Sequence, residues 1–175
     1  MHYLNTMKKI LLFLSLIIAV GCTQAQTTQA PAKPSIDNIP NFKLLSQDSV
    51  YITNANLKKG KGVVIIYFSP DCSHCQHMMT ELKPDMKKFS NVTVVMATFI
   101  QTSMLKMLRD FRRDYKLDEY PNFITGTEFP NYILQRYYQV ATTPYIAIYD
   151  RKGKLVKAYD KAPKVAELLE TVKKI

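Results

Sequence analysis

Cys72 and Cys75 stand three positions apart in "SPDCSHCQHM", with His74 between them and His77 just beyond. Two thiols at this spacing can hold a metal, staple a turn or pass electrons by disulfide exchange. As a staple the pair is weak, because closing so short a loop removes only about 2 kcal/mol of chain entropy. As a metal site it offers Cys72 and Cys75 with His74 or His77, and the soft ligands Met78 and Met79 stand next to them, a set suited to copper or zinc. No second cysteine pair completes a four-ligand zinc set, and Met78 and Met79 also fit the apolar stripe of a helix. Electron transfer asks only that the thiols meet and that one of them ionise near neutral pH.

The elements around the pair favour the third use. "GVVIIYF" (62–68) is a continuous β-branched run, the pattern of a central strand covered on both faces. A helix is predicted from the cysteines onward, with Met78, Met79, Leu82, Met86 and Phe89 near helical spacing and Pro84 kinking or splitting it. "FKLLS" and "SVYIT" read as a hairpin, and "NVTVVMATFI" (91–100) as a second clear strand. Met104, Leu105, Leu108 and Phe111 carry a helical period. "EYPNFITGTEFPNY" reads as irregular with a short strand at 122–124, and "YILQRYYQV" as a short helix. "PYIAIYD" and "KLVKAYD", joined by "RKG", form a second hairpin, and "PKVAELLETVKKI" closes the chain as an amphipathic helix. Strands alternating with helices and ending in a hairpin and helix imply a three-layer α/β domain.

Ahead of that domain, Lys8 and Lys9 precede "ILLFLSLIIAVG", a run short of the roughly 20 apolar residues a membrane-spanning helix needs. Residues 1–22 are therefore expected to be a signal peptide. Gly21-Cys22 resembles the end of a bacterial lipoprotein signal, which makes Cys22 the expected lipidation site; cleavage after Ala25 is the alternative. Either route exports the domain to the periplasm or cell envelope, anchored to the membrane in the first case. Residues 23–40, rich in Gln, Thr, Ala and Pro, read as a flexible tether, and 41–175 as the folded domain. The apolar content of 47% suits a globular chain. The net charge of +10 is dispersed; its densest cluster, Arg109, Arg112, Arg113 and Lys116, reads as a solvated helix face. No nucleic-acid partner is indicated.

Taken together, the buried strand ending in "YFSPDCSHC", the helix opening at the cysteines and "TTPYIAIYD" near the last hairpin resemble the thioredoxin superfamily. The resemblance is closest to the envelope thiol–disulfide oxidoreductases of the TlpA/ResA type, and it spans about residues 39–175. It implies a thioredoxin-like three-layer fold with a mixed central sheet and an N-terminal β-hairpin extension. It also implies a redox-active Cys72–Cys75 disulfide, with Cys72 as nucleophile at a helix N-terminus and Cys75 as the resolving thiol. His74 and Asp71 become candidates for tuning the Cys72 thiolate, Asp71 by capping the helix through the His74 N–H. Thr143-Pro144 matches the family's cis-proline, with a role in binding substrate. The family's buried acid is replaced by Ile66 on the strand and Met78 on the helix, which leaves Glu81 as the candidate proton acceptor. No cofactor and no metal is implied. The partners implied are protein thiols or disulfides and a membrane electron donor or acceptor. A peroxiredoxin reading fails on the missing Thr-x-x-Cys element.

Overall fold

The computed structural model describes residues 35–175. The expected signal peptide, Cys22 and the tether as far as residue 34 lie outside the described residues. Within them, the strands are β1 (Lys43–Leu45), β2 (Tyr51–Thr53), β3 (Gly62–Tyr67), β4 (Val92–Thr98), β5 (Phe123–Thr127), β6 (Tyr145–Tyr149) and β7 (Leu155–Tyr159). The helices are α1 (Ser73–Leu82), α2 (Leu105–Asp114), α3 (Ile133–Tyr138) and α4 (Val165–Val172).

The strands form a single mixed sheet in the order β2-β1-β5-β4-β3-β6-β7. β3, β4 and β5 run parallel, while β6 and β7 continue one side antiparallel and the β1–β2 hairpin extends the other. Every residue of β3 and of β4 is at least nine-tenths buried or close to it, as their unbroken apolar runs require of strands covered on both faces. Alternate side chains of β3 part company. Val64, Ile66 and Phe68 pack with Met78, Met79, Leu82, Phe111 and Leu168 from α1, α2 and α4. Val63, Ile65 and Tyr67 pack with Leu134 and Tyr138 of α3. The mixed sheet with helices on both faces is thus the three-layer fold expected, with its N-terminal hairpin in place.

Pro84 does end the first helix. α1 stops at Leu82 and the chain tightens into a 3-10 segment over Lys83–Phe89, which still buries Met86 and Phe89. Two expectations need correction. The strand expected at 122–124 runs over Phe123–Thr127 and is central, paired with β4 and β1. Gly126 lowers the strand propensity that its flanking threonines supply, but a glycine is required there by the neighbouring strand. A Cβ at that position would lie 2.7 Å from the Leu44 Cβ and 3.0 Å from the Leu45 carbonyl oxygen. The end of the expected tether is also part of the domain. Ile36 and Ile39 pack on the α3-side core, the Leu155 N–H donates to the Asp37 carbonyl at 2.9 Å, and the Tyr137 and Tyr149 hydroxyls donate to the carbonyls of Asn38 and Ile36.

Candidate functional site

β3 delivers the chain to the top of the sheet, where the Phe68 N–H still donates to the Ala97 carbonyl before Ser69-Pro70 turn it into α1. Cys72 is the N-cap of that helix. Its Sγ accepts the Cys75 N–H at 3.4 Å and its carbonyl accepts the Gln76 N–H at 2.9 Å. A sulfur thus takes the place the capping oxygen of Ser or Asp takes in most helices, at the positive end of the helix dipole. The turn itself is braced by the Gln76 side chain, whose Nε2 donates to the Pro70 carbonyl at 2.8 Å.

One helical turn on, Cys75 is fully buried, while Cys72 is half-buried. On the other side of Cys72 lies the Thr143–Pro144 peptide bond, which is cis. The Cys72 thiol donates to the Thr143 carbonyl at 3.4 Å, and Tyr145 then opens β6. Residues 71 positions apart in sequence therefore meet at one sulfur.

The two thiols are driven apart in acidity. Burial pushes the Cys72 pKa up, but hydrogen bonds from the Cys75 thiol, from the Thr143 side chain and from the backbone N–H groups of Cys75 and His74 outweigh it, so the net shift is downward. For Cys75, burial dominates and the interaction with Cys72 adds to it, against weaker opposing bonds to Ser69 and Thr143; its pKa is pushed up to about 12. One thiol is ready to ionise and the other holds its proton. Both are free thiols in this structure.

Other expected residues fall differently. Asp71 does not cap the helix, because Cys72 occupies the N-cap and the Asp71 carboxylate instead accepts from the Ser69 hydroxyl. His74 is exposed and faces a cleft shared with Thr143. Glu81 is not a buried acceptor beside Cys75. It lies on the outer surface of α1, 3.4 Å from the His77 imidazole in an i,i+4 pair, because the inner face is filled by Cys75, Met78, Met79 and Leu82. That same packing removes Met78 and Met79 as metal ligands. Among the described residues no three His, Cys, Asp or Glu side chains converge as a metal site would require.

The structure also holds an acid that no local pattern singles out. Glu128 is 1% exposed, just past the end of β5 and before the cis Phe129–Pro130 bond. Its carboxylate accepts the Tyr67 hydroxyl at 2.7 Å and the N–H groups of Leu134 and Gln135 at 2.6 and 3.0 Å. Burial and the Glu128 carboxylate push the Tyr67 phenol far up, so it remains a donor. Tyr67 lies on the α3 face of β3, the opposite face from Cys75, so this acid fixes the cleft wall rather than serving the resolving thiol.

The family model of the thioredoxin-like domain matches residues 52–173. This chain belongs to the thioredoxin-like family. Comparison with curated protein sequences gives no match. Solved structures do resemble this thioredoxin-like protein. A secreted Mycobacterium tuberculosis disulfide oxidoreductase homologous to E. coli DsbE superposes with a TM-score of 0.63 at 20% identity, over 77% of this chain and 96% of that one. The exposed lipoprotein thioredoxin of Streptococcus pneumoniae gives 0.58 at 24% identity, over 78% and 100%. StoA from Bacillus subtilis gives 0.58 at 17%, over 75% and 96%. At these identities the likeness speaks for the fold, and the site must be read from this chain's own residues.

Proposed function

We propose that this thioredoxin-like protein is a thiol–disulfide oxidoreductase of the bacterial cell envelope, acting on protein thiols or disulfides through Cys72 and Cys75. The observation that carries the reading is the placing of the two sulfurs. Cys72 caps a helix at the surface, where hydrogen bonds favour its thiolate, and Cys75 is buried one turn behind it with its proton held.

In the reducing direction the Cys72 thiolate attacks one sulfur of a substrate disulfide. A bond forms between Cys72 and that sulfur, and the other substrate sulfur leaves as a thiolate. Cys75 then gives up its proton and attacks the Cys72 sulfur, which releases the second substrate thiolate. The substrate has gained two electrons, and the protein holds a Cys72–Cys75 disulfide. The two departing thiolates take up two protons, one given up by Cys75 and one that Cys72 released to solvent when it ionised. Oxidation of a dithiol runs the same steps backwards. Thr143 and Pro144 stand where an incoming chain meets Cys72, and the Thr143 carbonyl is already within reach of that sulfur. His74, exposed beside it, is the remaining candidate for tuning the thiolate.

Export is supported by the signal-like segment 1–22, with Cys22 as the lipid anchor, and by the description of fold relatives as secreted or as an exposed lipoprotein. A membrane electron donor or acceptor follows from that location. Nothing in the geometry favours the metal-carrier alternative.

The test is a Cys75→Ala variant. With the resolving thiol removed, substrate proteins should accumulate as mixed disulfides on Cys72, and a further Cys72→Ala change should abolish them. Persistence of the adducts without Cys72, or their absence in the trap, refutes the proposal. A redox titration of the wild-type pair then sets direction. A potential near about −270 mV identifies a reductase and one near about −120 mV an oxidase.

A further inference from the structure

Beside Cys72 lies a cleft of about 380 Å³. Tyr67 and Phe99 form its aromatic wall, His74, Gln135 and Val140 line its other sides, and Thr143 joins it to the cysteine. We propose that this cleft is a specificity subsite that takes an aromatic side chain flanking the reactive cysteine of the protein substrate. The proposal rests on the thiol-exchange reading above and names the substrate class of that same site.

Four observations converge on this occupant. First, Phe99 is a large apolar side chain left 39% exposed directly after a strand whose other residues are all buried. Folding gains nothing from leaving it open, whereas a partner that covers it does. Second, the Phe99 ring lies nearly parallel to the Tyr67 ring, 15° apart with centroids 6.2 Å apart. Tyr67 is itself fully buried, so it backs the wall, and the open part of Phe99 is the surface an aromatic guest packs against in the offset or edge-on arrangements such rings prefer. Third, the wall is held rigid. The Tyr67 hydroxyl donates to the buried Glu128 carboxylate, which is itself fixed by two N–H groups at the start of α3, so little ordering cost falls on binding. Fourth, among the described residues no carboxylate, lysine or arginine lines the cleft, whose polar side chains are His74, Gln135, Thr142 and Thr143, so a lysine or arginine side chain would lose its hydration there without gaining an ion-pair partner.

The cleft is also continuous with the chemistry. Thr143 both lines it and contacts the Cys72 sulfur. A chain bonded through sulfur to Cys72 therefore has its neighbouring residues at the cleft mouth, since an extended chain advances only about 3.3 Å per residue.

The experiment uses the full chain carrying Cys22→Ser and Cys75→Ala, in which Cys72 is the one cysteine left of three. Peptides with a single cysteine are prepared as mixed disulfides with 2-nitro-5-thiobenzoate. The Cys72 thiolate attacks the peptide sulfur, a Cys72–peptide disulfide forms, and the coloured thionitrobenzoate leaves. One phenylalanine is moved from two residues before the cysteine to two residues after it, against a serine parent. At one of these positions the rate should exceed the parent's about tenfold, as expected for burying roughly half an aromatic side chain. Phe99→Ala should bring that ratio to within about twofold of unity, and Phe99→Tyr should keep it. Adducts forming at equal rates with every peptide, or a preference that survives Phe99→Ala, overturn the subsite and leave the thiol-exchange reading standing. If no peptide forms an adduct, the exchange reading fails and the subsite with it.

Discussion

Replacing Glu128 by glutamine keeps the side chain's size and turns one of its two acceptor oxygens into an NH2 donor. In the folded protein one carboxylate oxygen accepts the Leu134 N–H at 2.6 Å. The other accepts the Tyr67 hydroxyl at 2.7 Å and the Gln135 N–H at 3.0 Å. A glutamine amide placed either way sets its NH2 against at least one backbone N–H, with no room for water at a residue 1% exposed. The loss of a hydrogen bond to a charged group costs about 1.5–3 kcal/mol, and the stranded N–H adds a desolvation cost of about 1–3 kcal/mol. The expected loss in Glu128→Gln is therefore about 3–5 kcal/mol, or a melting point lower by roughly 10 °C for a domain of this size. Tyr67→Phe removes only one of the three donors and leaves the carboxylate two backbone partners with no stranded N–H, so only the hydrogen-bond part, about 1.5–3 kcal/mol, should be lost. Urea unfolding of the reduced proteins, with the slope m checked to be constant, measures both. A Glu128→Gln variant no less stable than Tyr67→Phe would refute the role given to this acid as the clamp on the cleft wall.

Further outcomes follow from the packing and the thiols. Gly126→Ala sets a Cβ 2.7 Å from the Leu44 Cβ, and should lower the unfolding free energy by about 1–3 kcal/mol; an unchanged midpoint would mean that β1 can withdraw from β5. In the reduced protein Cys75 keeps its proton to about pH 12 while the unfolded chain gives it up near an ordinary thiol value. Its contribution to stability is thus present below about pH 8.5 and is lost as pH rises toward 12. Cys75→Ala should flatten that part of the stability profile, and parallel profiles for the two proteins would contradict the burial of its thiol as the cause. Cys72 has the opposite sign. Its pKa is lowered in the fold, so its contribution is present above the ordinary thiol pKa and is lost as pH falls through the folded value. Cys72→Ala should therefore cost more at pH 9 than at pH 6 in reduced protein.

What could be read in advance divides along physical lines. β3 and β4 are legible because burial on both faces demands an unbroken apolar run, and "GVVIIYF" and "NVTVVMATFI" supply it. The break at Pro84 and the placing of Cys72 at a helix start follow from local chain chemistry. β5 is legible only at its start, because Gly126 answers to the close approach of Leu44 and not to strand propensity. Ile36 and Ile39 sit in a polar, proline-bearing stretch whose composition says tether, yet the Ile36 and Asp37 carbonyls are held by Tyr149 and Leu155, on strands more than a hundred residues away. Glu128 was invisible for the same reason. One acid in "TGTEFPN" looks like any loop acid until Tyr67, Leu134 and Gln135 close around it. Glu81, the acid left once Ile66 and Met78 replace the family's buried one, stands one turn beyond Met78 on the helix but on its solvent side. Local pattern reveals where the thiols are; only the tertiary contacts reveal that neither Glu81 nor Glu128 faces Cys75.

The pH dependence of alkylation of the reduced wild-type protein by iodoacetamide, followed peptide by peptide, tests the acidity of Cys72 most directly. Attack by a thiolate favoured at the helix N-cap requires that the Cys72 rate rise with a midpoint below the ordinary thiol value of about 8.5, with Cys75 unreactive across the same range. A Cys72 midpoint at or above about 8.5, or equal labelling of the two cysteines, would contradict the division of labour between them.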